Sequence, residues 1–528
     1  MTPLILSVPQ ITASEQHTRR SIPSLDLMEN AGKVCTHEIM QVAFSNNIYD
    51  FVIFCGTGNN GGDGLVTARL LAQGAFLMQT SITVVICENS SSHRTSEFQK
   101  NLDRWNEITS SSDFFNTVTY DGQNLYPIAE HSIVVDALFG IGLNKQATGI
   151  YARAIQSINA SDAFVISIDI PSGLFADRHT PSEYDVVFAD LTLSIQFLKT
   201  AFMLPETAPF HGEVRVVDIN MQVPTEFQPE REYLIADNIR PLLKQSDEYA
   251  HKGTFGHGLL IAGSDSMPGA AILSATAAMR GGIGKLTVHT TGRALQALPI
   301  ALPEAILNPD SNEKCFSDIN WSTLQTSINA IAMGPGLGTD QRTVNAIKNV
   351  LDSVQMPLIL DADALNMLAD NKTWLAFLPQ NSILTPHFGE FEKLAGPASD
   401  DFDRLEKARE FAQRYSAVLV LKGHHTVISM PDGKQFFNST GNKGMATAGS
   451  GDTLTGLLLA LLAQGHSPME TALLGVYIHG LAGDLYTADN AYQSLIASDL
   501  PKYFSNAFLK LSTPEKEFIN PFEEELYG

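Results

Sequence analysis

The chain has 528 residues, too many for one ordinary core, so two or three domains are expected. Its 44% hydrophobic share is that of a globular protein, and a formal net charge of -23 leaves no excess of Lys and Arg for binding nucleic acid or an anionic membrane. The cysteines Cys35, Cys55, Cys87 and Cys315 have no C-x-x-C spacing, which excludes a disulfide scaffold or a zinc site and points to a reducing, cytoplasmic setting.

The opening stretch MTPLILSVPQ has no basic segment ahead of an unbroken apolar core, so no signal peptide is expected, and no apolar run reaches membrane-spanning length. Residues 51–55 (FVIFC) read as a strand, 56–64 (GTGNNGGDG) as a glycine loop, 65–74 as a helix closed by Gly74, and 81–87 as the next parallel strand. The loop departs from the usual dinucleotide fingerprint because Asn59, Asn60 and Asp63 crowd it. Their side-chain oxygens suit a hydroxylated ligand or a weakly held monovalent cation. Residues 132–136 end in Asp136 and run into ALFGIGL, while 164–170 carry Asp169 and run into Pro-Ser-Gly. Ligand crevices of open parallel sheets lie outside the carboxyl ends of the strands. The 56–64 loop, Asp136, the 140–146 loop, Asp169 and Ser172 are therefore expected to converge.

GTGNNGGDG, DALFGIG and DIPSG, in that order over roughly residues 10–220, resemble the NAD(P)H-hydrate epimerases. The resemblance implies a Rossmann-like, three-layer α/β/α domain with a potassium ion held by Asn60, Asp136 and Ser172. It implies substrate contacts at Asn59, Asn60, Gly61, Gly62 and Asp63, at Gly140, Ile141, Gly142, Leu143, Asn144, Lys145 and Gln146, and at Asp169. Asp169 is expected to act as the acid/base group. Thr57 stands where the family usually has proline, and SIQFLKTAF lacks the Thr-Phe pair usual before the lysine, Lys199.

Residues 221–250 are polar, acidic and proline-punctuated, which marks a join. Domains are expected at 1–225 and 226–510, with an acidic tail at 511–528. Beyond the join, 257–261, 284–290, IAMGPGLG, PLILDADAL, SILTPHFGE and AVLVLKG alternate with helical segments, giving a second α/β domain with a largely parallel sheet. Polar residues again follow strand ends: Asp363 and Asn366, His387 and Glu390, and Lys422. The loop 441–456 then runs into a helix whose apolar rows hold Leu454, Leu457, Leu458, Leu461 and Leu462, ending at Gly465. Gly449 and Gly451 let backbone amides approach a phosphate at the helix start, where Asp452 can take a proton from a neighbouring hydroxyl. An Asp at a helix start is also an ordinary capping residue, but this loop is long and small-residued throughout.

GMATAGSGDTLTG and TPHFGE are similar to motifs of the ADP/ATP-dependent NAD(P)H-hydrate dehydratases, which are ribokinase-like, over about residues 250–500. The likeness implies substrate contacts at Ala271, at Gly336 or Gly338, at His387 and at Asp452. It implies nucleotide contacts at Lys422, Gly423, His424, His425 and Thr426 and at Gly449, Ser450 and Gly451, with Mg2+ accompanying ADP or ATP. The expected substrates are hydrated NADH and NADPH, epimerised by the first domain and dehydrated in the S form by the second, in a homo-oligomer that binds neither nucleic acid nor membrane. The alternative is a small-molecule kinase, for a vitamin or sugar, with a non-catalytic nucleotide-sensing module in front.

Overall fold

The computed structural model describes residues 4–74, 80–89, 92–110, 113–321, 324 and 328–513. The chain divides into two units, one running to Glu232 and taking in Asp400–Phe402, the other starting at Tyr233. Most of the acidic tail expected at 511–528 lies outside the described residues, and its first positions close the helix Leu500–Ser512, where Leu511 is buried.

The first unit begins with β1 (Leu4–Ile5), which pairs antiparallel with the start of β9 (Arg231–Leu234). Its main sheet comprises β2 (Asp50–Cys55), β3 (Ser81–Cys87), β4 (Phe115–Tyr120), β5 (Ile133–Ala137), β6 (Phe164–Ile168), β7 (Leu191–Ile195) and β8 (Glu213–Val217). These strands lie in the order β4-β3-β2-β5-β6-β7-β8, all parallel. Strands buried on both faces read as continuous apolar runs. On β2, Phe51, Ile53 and Cys55 pack against the helices Ser24–Asn46, Asn59–Gly74 and Ser96–Thr109 through Ile39, Leu65 and Trp105. Val52 and Phe54 pack on the other face with Ala154, Ile155 and Ile158 of the helix Ile150–Asn159. Three layers result. The order reverses between β2 and β5, which is where such sheets open a ligand crevice.

In the second unit the strands are β10 (His257–Ile261), β11 (Lys285–Thr290), β12 (Ile306–Pro309), β13 (Ala330–Met333), β14 (Leu358–Leu360), β15 (Ile383–Leu384), β16 (Val418–Leu421), β17 (Val427–Ser429) and β18 (Gln435–Asn438). They run in the order β18-β17-β16-β15-β14-β13-β10-β11-β12, with β17 antiparallel to both β16 and β18 and every other neighbouring pair parallel. The helix Ser450–Ala463 is buried from Thr453 onward and crosses the alanine-rich helix Pro268–Arg280 closely. Gly456 permits this, since a Cβ there would stand 2.0 Å from the Ser274 carbonyl oxygen. Among the described residues no helix is long and apolar enough to cross a membrane.

Candidate functional site

At the switch point of the first sheet lies a cavity of about 580 Å³. Asn59, Asn60 and Asp63 line it from the first turns of the helix Asn59–Gly74, Gly140 to Lys145 from the loop after β5, and Asp169 from the end of β6. Ile11, Leu27, Met28, Ile219 and Met221 supply an apolar wall. An apolar ring with hydroxyl and phosphate substituents suits such a mixture.

The glycine loop expected over 56–64 is shorter than the sequence suggests, because the helix already begins at Asn59. Its glycines serve close packing. A Cβ on Gly61 would lie 1.8 Å from the Gly56 carbonyl oxygen, and one on Gly62 would lie 2.7 Å from Met28. Gly61, Gly62 and the exposed Gln146 stand outside the residues that line the cavity.

Asp169 has a left-handed backbone, φ 72°. Its Oδ2 accepts the Ile141 amide at 3.1 Å, and its Oδ1 accepts Lys199 Nζ at 2.6 Å. Lys199 has no exposed surface and also donates to Ser194 Oγ at 2.9 Å. Burial lowers the Lys199 pKa, with Asp169 working against it. Burial, then the neighbouring Asp169 and Glu15 carboxylates, push Asp63 well above the usual carboxylate range.

Asp136 and Ser172 lie beneath the cavity with no exposed surface. Asp136 accepts Ser172 Oγ at 2.6 Å, the Ser172 amide at 2.8 Å, Ser167 Oγ at 2.8 Å and the Leu138 amide at 3.2 Å. Burial raises its pKa in spite of these bonds. Phe139 donates its amide to Ser172 Oγ at 2.9 Å, so the two residues tie the ends of β5 and β6 together. Asn60 is different: both polar atoms of its side chain are buried without a partner. Orphaned buried polar groups of this kind mark a place for an ion or water.

In the second unit Asp452 stands in the first turn of the helix Ser450–Ala463, behind Gly449 at φ 89°. No side chain caps this helix, and the Gly451 and Asp452 amides find no acceptor among the described residues. Such amides and the helix dipole attract an anion. Beside them Lys422 Nζ donates to Asp361 Oδ1 at 2.9 Å and lies 4.0 Å from Glu390. Thr455 Oγ1 donates to the other Asp361 oxygen at 2.8 Å. A Cβ on Gly451 would be 3.3 Å from Lys422 Nζ, so the glycine keeps the ammonium open to the loop. Burial works to raise Asp361, but Lys422 outweighs it and holds the carboxyl below its ordinary range. Burial, then Asp361, push Asp452 up to about 6, against the pull of Lys422.

His387 caps the helix Phe388–Ala395, its Nδ1 accepting the Glu390 amide at 3.2 Å, while most of the ring stays exposed. Its backbone bridges Lys422, which brings TPHFGE to the anion loop. Gly336 and Gly338 take φ 63° and 73°, and the Gly338 amide donates to Asp363 Oδ2 at 2.8 Å. Gly423 and Thr426 form a tight turn after β16, with His424 and His425 in ring contact within it. Ala271 is wholly buried in the core, where its methyl group faces Gly263. Asp361 is the residue that sequence reasoning missed. As the first acid of PLILDADAL it carried the same strand-end signal as Asp136 and Asp169.

The family model described as NAD(P)H-hydrate dehydratase matches residues 258–506, and that described as YjeF-related protein N-terminus matches residues 24–201. The bifunctional NAD(P)H-hydrate repair enzyme Nnr of Moorella thermoacetica is 35% identical over 499 residues, covering 91% of each chain. The chain belongs to the bifunctional NAD(P)H-hydrate repair enzymes. This repair enzyme is thus an isomerase and a lyase on one chain, and the stand-alone kinase alternative falls away. Its second half is 39% identical over 269 residues to the ADP-dependent (S)-NAD(P)H-hydrate dehydratase of Bacillus subtilis, covering 50% of this chain and 93% of that one. A crystal structure of ADP/ATP-dependent NAD(P)H-hydrate dehydratase from Bacillus subtilis, co-crystallized with ATP/Mg2+, is 34% identical with a TM-score of 0.45, over 52% of this chain and 97% of that one.

Proposed function

We propose that the cavity of the first unit epimerises the R and S forms of hydrated NADH and NADPH, and that the Asp452 site dehydrates the S form at the expense of ADP or ATP. The observation that carries the second assignment is a carboxylate set among helix-start amides that find no acceptor among the described residues, beside a half-buried ammonium. Hydroxide is a poor leaving group and phosphate a good one. Lys422, the turn Gly423 to Thr426 and the loop Gly449 to Gly451 hold the nucleotide phosphates, and Asp452 takes the substrate hydroxyl proton as the terminal phosphoryl group passes to that oxygen. The ring carbon then loses phosphate, its neighbour gives up a proton, and the double bond of the dihydronicotinamide re-forms.

The donor sets fit two cations. Asp361, Glu390 and Asp452 act on Lys422, and Asp363 acts on Asp452, leaving surplus negative charge on oxygen, which suits Mg2+. Bound with the nucleotide, Mg2+ would neutralise the phosphates. In the first unit Asn60 offers an amide oxygen with no partner among the described residues, and of the three donors Asn60, Asp136 and Ser172, Asp136 alone can carry a charge, which suits K+ better than a divalent ion. Asn60, Asp136 and Ser172 would hold it, fixing the strand-end loops around Asp169. The buried free cysteines support a reducing, cytoplasmic setting.

Two variants test the assignment. Asp452→Asn is expected to lose dehydration by about a hundredfold or more while binding nucleotide, since an amide accepts no hydroxyl proton. Asn60→Ala is expected to slow epimerisation and remove its preference for potassium over sodium, with dehydration of the S form unchanged. Near-normal dehydration by Asp452→Asn would take that residue out of the mechanism.

A further inference from the structure

Behind Asp169 of the epimerase cavity lies a buried charge whose role neither sequence nor family resemblance assigned. Lys199 follows β7 and has no exposed surface, so its ammonium cannot meet solvent or a substrate carried in the cavity. A buried cation is strongly disfavoured unless paired and hydrogen-bonded. Here it is both, with Asp169 Oδ1 at 2.6 Å and Ser194 Oγ at 2.9 Å.

The two oxygens of Asp169 are not equivalent. Oδ1 is taken by the ammonium from below. Among the described residues Oδ2 accepts only the Ile141 amide, at 3.1 Å, and it faces Gly140, where a Cβ would stand 2.8 Å from it. Gly140 and Ile141 both line the cavity, as does Asp169. The glycine therefore leaves Oδ2 uncovered on the side from which a ligand comes.

We propose that Lys199 is a positioning residue of the epimerase site: by holding Asp169 Oδ1 it fixes the carboxyl group and turns Oδ2 into the cavity as the oxygen that exchanges a proton with the substrate hydroxyl. This rests on the assignment of Asp169 as the acid/base group. Charged or titratable groups near the pair include Asp63 on the helix Asn59–Gly74, Cys35 on the helix Ser24–Asn46, and Asp177, whose carboxylate accepts the Val8 amide at 2.5 Å, while the cation Arg231 acts on Asp177 and donates to Thr200 Oγ1 at 3.3 Å. Asp63, Cys35 and Asp177 carry no positive charge. Without Lys199, Asp169 Oδ1 would lose the cation that fixes it and would face acidic neighbours instead.

The test uses the full chain and three variants, with epimerisation followed from pure R substrate and substrate affinity measured alongside. Lys199→Met, which keeps the length and removes the charge, should lower kcat about tenfold or more with KM little changed, and move the acid limb of the pH–rate profile up by about one unit or more. Ser194→Ala, which removes only the second partner of Lys199, should shift the limb the same way by less. Asp169→Asn should abolish epimerisation. If Asp169→Asn stays active, the assignment of Asp169 itself fails. If Asp169→Asn is inactive while Lys199→Met, or Ser194→Ala where the first does not fold, keeps the wild-type pH profile, the role given to Lys199 is overturned.

Discussion

Lowering the pH from 7 to 5 should switch off dehydration in a way that identifies the base. Burial first, then Asp361 and Asp363, hold Asp452 at about 6, with Lys422 pulling the other way. A base works only when deprotonated, so turnover should rise with pH through that value and level off above it. With a pKa of about 6 the carboxylate fraction falls from about 90% at pH 7 to about 10% at pH 5, a loss of about ninefold in kcat/KM. A carboxyl of ordinary pKa would keep about 90% of its charge at pH 5 and lose almost nothing. The assay is the absorbance of the reduced nicotinamide ring as it re-forms, with purified S hydrate and saturating ADP. Protonation of the nucleotide itself falls in the same range, and Asp361→Asn separates the two. That variant removes the carboxylate that contributes most after burial, so its limb should move to lower pH, while the nucleotide's own titration stays put. A profile flat between pH 5 and 7, or identical in both proteins, would refute the base assignment or its electrostatic origin.

Two glycines give predictions of different kinds. Gly456→Ala should lower the stability of the second unit, because the new methyl group, 2.0 Å from the Ser274 carbonyl oxygen, must push the packed helices away from each other; the overpacking cost of about 1–3 kcal/mol exceeds the helix-propensity gain, and denaturant midpoints check it. Gly61→Ala should slow epimerisation severalfold and spare dehydration, since the added atom displaces the turn at Gly56 that seats Asn59 and Asn60; equal epimerisation rates would show that this turn does not belong to the site.

Sequence alone carried the alternation of strands and helices, the acids at strand ends and the anion loop, because each rests on a local pattern. It misplaced the start of the helix Asn59–Gly74, reading glycines as flexibility where they provide close approach to Gly56 and Ala137. Propensity counts a glycine against a helix, whereas packing can require one there. The antiparallel pair β17 and β18 went unread, since its short strands lack the spacing of strand-helix repeats. The role of Lys199 and the pairing of Asp361 with Lys422 were equally hidden. Each depends on two residues far apart in the chain meeting in space, 30 positions apart in the first case and 61 in the second.

The left-handed backbone at Asp169 has a consequence for anyone altering this enzyme. Glycine adopts that conformation freely and asparagine readily, whereas another side chain is strained by about 1–2 kcal/mol. Glycine at this position would relieve that strain, yet it would also leave the buried Lys199 ammonium without its carboxylate, a loss of about 3–5 kcal/mol that exceeds the strain. Thermal selection and catalytic selection therefore point the same way at this codon, and a stabilising library keeps the strained acid because its buried partner requires it.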